Sequence, residues 1–219
     1  MKRIETLASL VDKDAYVLDI GTDHAYLPIY LYKNNITKSI VGSDISKNAL
    51  EYAKTNLVKY GLENKIKLIV SDGFKNINET FDIAIISGVG TQTIKKILDY
   101  NNLPNKLIIS SHKDVLELRK HMQNIGYKII DEKIVYENEK YYDLIKYEKG
   151  YDNLDEYSLL VGLSNNIEYI NYLKEKYKKL YNKSHDKKYL EYLSLDEMNL
   201  ARVEYYLSEY LSIIERKQD

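Results

Sequence analysis

The segment that most limits what this chain can fold into is Val17-Leu18-Asp19-Ile20-Gly21-Thr22-Asp23-His24-Ala25-Tyr26-Leu27-Pro28. Val17, Leu18 and Ile20 predict a buried strand. Gly21 allows a tight turn and close approach of a ligand that a side chain would block. Pro28 suits the first turn of a following helix, where its missing N–H is no loss. A strand, a glycine and a helix N-terminus together form a cradle for a nucleotide-like ligand. A dinucleotide fingerprint would place two more glycines here, where this chain has Asp23 and Ala25. An acid facing the ligand disfavours a pyrophosphate and tolerates a cation.

The 219 residues suffice for one α/β domain and a smaller second piece. Cysteine is absent, which excludes disulfides and thiolate metal ligands. No metal site is expected. A net charge of -1 gives no global sign of nucleic-acid binding, and the 23 tyrosines accompany a heavy use of Lys, Asn and Ile that A+T-rich codons would produce. With no long apolar run and no leader pattern, the expected setting is cytoplasmic, with no membrane association and no obligatory protein partner.

Around the organising turn, the pattern alternates strand and helix. A first helix is expected over Lys2–Val11, with Ile4, Leu7, Ala8 and Val11 on one face. A second is expected from about Ala25 to Lys33. Ser39–Ser43 predicts a strand ending at Asp44, about twenty residues beyond the glycine turn. That spacing puts a carboxylate at the ribose hydroxyls of a bound adenosine, the favoured reading over a plainer one in which Asp44 or Ser46 caps the helix over Lys47–Tyr60. Lys67–Val70 is a third strand, followed by Asp72-Gly73, placed for an adenine amino group or simply for a turn. Phe81–Ile86 reads as a central parallel strand, running into Ser87-Gly88-Val89-Gly90-Thr91, with Thr91 or Thr93 as helix cap. Lys106–Ser111 is a fifth strand and Val115–Ile125 a helix. Tyr127–Tyr136 and Tyr141–Tyr147, joined by a turn at Glu137-Asn138-Glu139-Lys140, make a hairpin in which one strand must run antiparallel to the rest. His121 and His185 read as surface residues.

Five alternating strands closed by a hairpin resemble the class I methyltransferases, which bind S-adenosylmethionine. The cationic sulfonium of that cofactor suits acids in the first turn. The run from Asp19 to Pro28 further resembles the first motif of the TrmK family of bacterial tRNA methyltransferases, which methylate N1 of adenosine 22. Asp72-Gly73 is similar to the family's adenine motif, Ser87–Thr91 to its Ala-Gly-Met-Gly-Gly loop with three differences, and Tyr141-Tyr142 to a hairpin pattern. Ser110-Ser111-His112 departs from the family's Gln-Pro-Asn, and Asp44 stands where many relatives carry Glu.

The resemblance implies a Rossmann-like α/β sheet of seven strands over 1–152 and a helical coiled-coil hairpin over 153–219. It implies S-adenosylmethionine as cofactor, held by Asp19, Gly21, Asp23, His24, Asp44, Ile45, Asp72, Gly73, Ser87 and Gly88. Asp23, His24 and Tyr26 are its candidate catalytic residues. In the tail, Leu163, Ile170, Leu173, Tyr177 and Leu180 step at heptad spacing, as do Leu200, Val203, Leu207, Tyr210 and Ile214, with a break near 182–188. Seven lysines between 174 and 188 face only Glu175 and Asp186. Lys178, Lys179, Lys183, Lys187 and Lys188 are therefore candidates for tRNA phosphate contact. A methyltransferase of this fold on another nucleic acid or a small molecule, or a non-enzymatic RNA-binding protein, remains the alternative.

Overall fold

The computed structural model describes residues 2–163 and 166–195. The chain divides into two compact units, Met1–Asp152 and Asn153–Asp219.

The first unit alternates helix and strand in the order α1 Lys2–Ser9, β1 Val17–Ile20, α2 Tyr26–Lys33, β2 Ile40–Asp44, α3 Lys47–Lys59, β3 Lys67–Val70, β4 Ile83–Ile86, α4 Thr91–Ile97, β5 Lys106–Ser111 and α5 Val115–Asn124. The hairpin β6 Tyr127–Glu137 and β7 Lys140–Lys149 follows. The seven strands form one sheet in the order β3-β2-β1-β4-β5-β7-β6. The first five run parallel. β7 inserts antiparallel between β5 and β6. Two-sided burial explains the composition of the centre: every residue of β1 and β4 is buried, as a parallel sheet covered by helices requires. Leu18, Ile20, Ala84, Ile86, Leu107 and Ile109 face α4 and α5, packing on Ile94, Leu118 and Met122. Val17, Ile83, Ile85 and Ile108 face the other way, onto Leu7, Leu10, Leu27 and Leu31 of the α1 and α2 side.

Several boundaries differ from the sequence reading. Phe81 and Asp82 precede β4 instead of belonging to it. Phe81 packs on Tyr16, with ring centroids 4.4 Å apart, and Asp82 Oδ2 accepts from the Tyr16 backbone at 2.8 Å, so this pair forms a side-chain clasp at the strand's entry. Gly90, not Thr91 or Thr93, is the N-cap of α4, because the Thr91 hydroxyl is turned to β5. The hairpin turn is two residues, Asn138 and Glu139, with φ of 50° and 59°, the left-handed pair that suits the twist of the flanking strands. His121 is half-buried on α5, and burial lowers its pKa, so it is not the surface residue expected.

The second unit opens with a short helix that the heptad reading missed, α6 Glu156–Val161, capped by Asp155 accepting from Ser158 N at 2.8 Å. Leu163 lies in the bend after it and is 49% exposed, so it does not start the heptad stripe. α7 Ile167–Ser184 carries Tyr169 and Leu173 as its buried residues. His185 ends it in the left-handed region, and residues 188–195 are helical again. They return alongside α7, since Tyr177 packs on Tyr192 at 5.1 Å between centroids and on Tyr189 at 6.1 Å. The expected second heptad, Leu200 to Ile214, lies outside the described residues.

Candidate cofactor and substrate site

Four neighbouring strands end level with one another. Ile20 is in register with Ser43 on one side and Ile86 on the other, and Asp44 with Val70. The turns after β3, β2, β1 and β4 therefore line one edge. They carry Asp72, Asp44, Asp23 and Ser87 in that spatial order. The carboxyl edge of an open parallel sheet is where such folds bind ligands.

The central turn is built tightly. Gly21 N and Thr22 N both donate to Ser43 O, at 2.8 and 2.9 Å, which ties the end of β1 to the end of β2. Gly21 adopts φ +75°, a conformation that favours glycine. Gly42 leaves room for the Thr22 side chain: a Cβ there would stand 3.0 Å from Thr22 Oγ1 and 3.1 Å from a Leu68 methyl. Asp19 is 3% exposed beneath this turn. Burial pushes its carboxyl up to about 6, the Thr22 hydroxyl pulls it down, and the charge of Asp44 adds to the rise.

Asp44 is the hub of the edge. Its Oδ2 accepts from Asp23 N at 3.2 Å and its Oδ1 from Ser46 N at 2.8 Å. The helix cap is Ser46, whose hydroxyl accepts from Ala49 N, so Asp44 is left with spare acceptor capacity toward solvent. Ile45 beside it is 67% exposed, an apolar flank for a planar ligand. Asp23 and Ala25 both hold left-handed backbone, φ 48° and 57°, and present His24 between them. His24 Nε2 is 3.6 Å from Asp23 Oδ2, and its ring stacks on Tyr26 at 5.4 Å.

At the next strand, Ser71 Oγ donates to Gly73 O at 2.8 Å and accepts from Asn76 N at 3.1 Å. That shapes a turn from which Asp72 is exposed and in which Gly73 has φ +59°. On the other side, Ser87 is half-buried, and Gly88 is exposed at φ +81°. Thr91 Oγ1 donates to Lys113 O at 2.5 Å and lies 3.1 Å from Ser111 Oγ, locking the β4 loop to the β5 loop. His112 packs on Tyr142, 5.2 Å between centroids, and Arg3 Cζ stands 4.5 Å from the centre of the same Tyr142 ring. Thus Ser111 and His112, which depart from the family triplet, are both engaged in holding the β4–β5–β7 corner.

The chemistry of the donor set fits S-adenosylmethionine. Asp19, Asp44 and Asp72 form no ion pair among the described residues, so the edge keeps negative potential for a sulfonium and an ammonium, and Asp44 can take two vicinal hydroxyls. Among the described residues no cluster of His, Cys, Asp and Glu suits a metal. The geometry thus brings together Asp19, Gly21, Asp23, His24, Tyr26, Asp44, Ile45, Asp72, Gly73, Ser87 and Gly88. The five lysines belong to the second unit and are all exposed. Lys178 pairs with Glu175 and Lys188 with Asp186, at 3.0 and 3.1 Å. Sequence reasoning missed Tyr52, whose ring lies 5.4 Å from that of His24. Its signal was available: it falls outside the apolar stripe Leu50, Ala53, Leu57 of α3.

A methyltransferase-domain model matches residues 1–145. The MG248 protein of Mycoplasma genitalium, assigned as a tRNA methyltransferase, is 38% identical over 154 residues, which take in 68% of this chain and 69% of that protein. The tRNA (adenine(22)-N(1))-methyltransferase of Bacillus subtilis is 31% identical over 154 residues, 68% of this chain and 65% of its own length. The solved structure of M. capricolum TrmK in complex with S-adenosyl-homocysteine superposes with a TM-score of 0.76 at 33% identity, covering 95% of this chain and 97% of that one. With its motif, its sheet order and these relatives in agreement, the chain belongs to the TrmK family of class I methyltransferases.

Proposed function

We propose that this protein transfers a methyl group from S-adenosylmethionine to N1 of adenosine 22 of tRNA. The observation that carries this reading is the row of acids, Asp72, Asp44 and Asp23, at the ends of successive strands along one sheet edge, in a chain whose relatives include tRNA methyltransferases. When bound, the cofactor supplies an electrophilic methyl on a positively charged sulfur.

The chain's own residues orient and bias the reaction. Asp44 accepts from the ribose hydroxyls, Ile45 flanks the adenine, and Asp72 accepts from its amino group. Asp23, solvent-facing and turned away from the core, holds the methionine ammonium. Gly21, Gly73, Ser87 and Gly88 let the backbone come close. The attacking N1 is a lone pair, so no proton has to leave first and no strong base is needed. Orientation by His24 and Tyr26 is where rate is gained, at up to about 7–11 kcal/mol for a fully aligned pair of reactants. As the N–C bond forms and the C–S bond breaks, positive charge passes to the base, and the acids offset it. The target adenosine has to leave its stack, at a cost of a few kcal/mol. Lys178, Lys179, Lys183, Lys187 and Lys188 supply backbone contacts for the tRNA from the helical unit. A cytoplasmic setting goes with that substrate. No helix among the described residues is long and apolar enough to cross a membrane.

The test is methylation of unmodified tRNA followed by mapping of the modified nucleotide. Methyl incorporation at N1 of adenosine 22 is expected. Incorporation only into DNA or small molecules, or cofactor binding without turnover on any tRNA, overturns the reading. Asp23→Asn gives a sharper version, because Asn also tolerates left-handed backbone. That variant should lose most activity and keep its Tm.

A further inference from the structure

His24 is the middle ring of three. Tyr26 stacks on one side at 5.4 Å with an interplanar angle of 23°, and Tyr52 meets it at 5.4 Å with a tilt of 42°. The rings come from two segments that the topology joins at the carboxyl edge: the β1 turn with the first residue of α2, and the second turn of α3, which follows β2. Neither tyrosine serves the core. Tyr52 is 60% exposed and Tyr26 44%, although burying such a ring is worth a few kcal/mol to a fold. The backbone that carries the central imidazole is nonetheless anchored. His24 O accepts from Asn56 Nδ2 at 2.9 Å, and Asn56 lies one helical turn beyond Tyr52. On both sides of His24 the backbone is left-handed at a non-glycine residue, strain of a kind that persists where surrounding structure imposes it and that collects at functional sites.

We infer that His24, Tyr26 and Tyr52 form a stacking platform for an unpaired base of the substrate RNA, with Tyr52 a recognition residue outside the chemistry. The inference rests on the RNA-methylating reading above and names the surface that reading lacks. Extruding an adenosine strips its neighbours of a stacking partner. Aromatic side chains replace that partner without regard to sequence, at about 1–3 kcal/mol per base. The platform adjoins Asp44 through the Asp23 N to Asp44 Oδ2 hydrogen bond, so it borders the proposed ribose site. An exposed aromatic face beside acids fits the π-face of a base and not a phosphate, which would call for the lysines of the other unit.

The chain contains no tryptophan, so Tyr52→Trp introduces a unique fluorophore at the platform. Adding unmodified tRNA to that variant should quench the indole, and adding S-adenosyl-homocysteine alone should not. In steady-state methylation, Tyr52→Ala should raise KM for tRNA roughly five- to a hundredfold with kcat and S-adenosyl-homocysteine affinity unchanged, and Tyr52→Phe should restore wild-type KM. Quenching by the cofactor product alone, or loss of its affinity in Tyr52→Ala, would assign the rings to the cofactor and overturn the proposal. So would an unchanged tRNA KM with no quenching. Quenching by tRNA is read independently of turnover, so an enzyme that stacks RNA but methylates no tRNA would fail the activity reading and keep the platform.

Discussion

Two regions of the first unit concentrate charge, and they treat it in opposite ways. Under the hairpin, the buried Arg119 guanidinium is paired with the buried carboxylates of Glu132 and Asp143, the latter at 2.7 Å. At the carboxyl edge, Asp19, Asp44 and Asp72 form no ion pair among the described residues, and Asp23 faces only His24. The first set pins α5 to β6 and β7. A buried pair of this kind adds little net stability over an apolar replacement, but breaking one partner is costly. In the second set Asp44 and Asp72 keep acceptor capacity for something that is not protein, above the buried Asp19. The contrast separates acids that organise architecture from acids that await a cationic, hydroxyl-rich ligand.

Substitutions can break that contrast, and the largest effect belongs to the triad. Arg119→Met should destabilise the folded state by about 3–5 kcal/mol, because two carboxylates would be left buried without a cation. Urea denaturation monitored by circular dichroism measures it, and a loss below about 1 kcal/mol would mean the two carboxylates relax to water.

Asp19 comes next and acts through pH. Burial raises its pKa from 3.8 to about 6, so between those values the folded chain keeps a proton that the unfolded chain has released. Stability therefore falls as pH rises through that window and stays low above it. Asp19→Asn should flatten this dependence and recover up to about 3 kcal/mol at pH 7 relative to its own acid-side difference. Thermal melts from pH 4 to 7 on both proteins check the sign.

Asp44→Ala is expected to touch ligand more than fold. Cofactor affinity should drop about tenfold or more, since hydrogen bonds to a charged group are worth roughly 1.5–3 kcal/mol, while Tm moves little. An unchanged calorimetric affinity would move Asp44 to the architectural class.

The smallest folding effect is expected from replacing Lys178, Lys179, Lys187 and Lys188 by Glu, all on exposed positions. Stability should stay within about 0.5 kcal/mol per site. The dependence of tRNA affinity on salt should flatten by about one unit for each phosphate no longer neutralised. An unaltered salt slope would mark these lysines as a solvated helix face.

The sheet was legible in the sequence because its signals are local and redundant. Ile83–Ile86 and Leu107–Ile109 are runs whose burial on both faces leaves an unbroken apolar pattern, and Gly61 and Gly126 punctuate helices where left-handed backbone is needed. The acids at strand ends were legible for the same reason, since spacing fixes their position along the edge. What sequence could not supply was pairing across the chain. Thr91 reads as a helix cap until Ser111 and Lys113 are brought to it from twenty residues away. Tyr52 reads as one more tyrosine in a tyrosine-rich chain until α3 is laid beside the turn that carries His24. Leu163 fits a heptad by number, and fails because Gly162, at φ +81°, ends the short helix before it.

The insertion of β7 between β5 and β6 has a consequence for synthesis. The free edge of β5 cannot be satisfied by β6, which follows it in the chain but does not touch it. It must wait for Lys140–Lys149, a delay of about 2–9 s at translation rates of ~5–20 residues per second. Throughout that interval a buried-type strand, Leu107 to Ser111, has one row of backbone groups open to any passing extended segment. The two-residue turn at Asn138 and Glu139 shortens the exposure, because the hairpin can zip as soon as β7 leaves the ribosome and dock as a finished ribbon. Weakening that turn should therefore show first as aggregation of nascent chains, before any change in the finished enzyme.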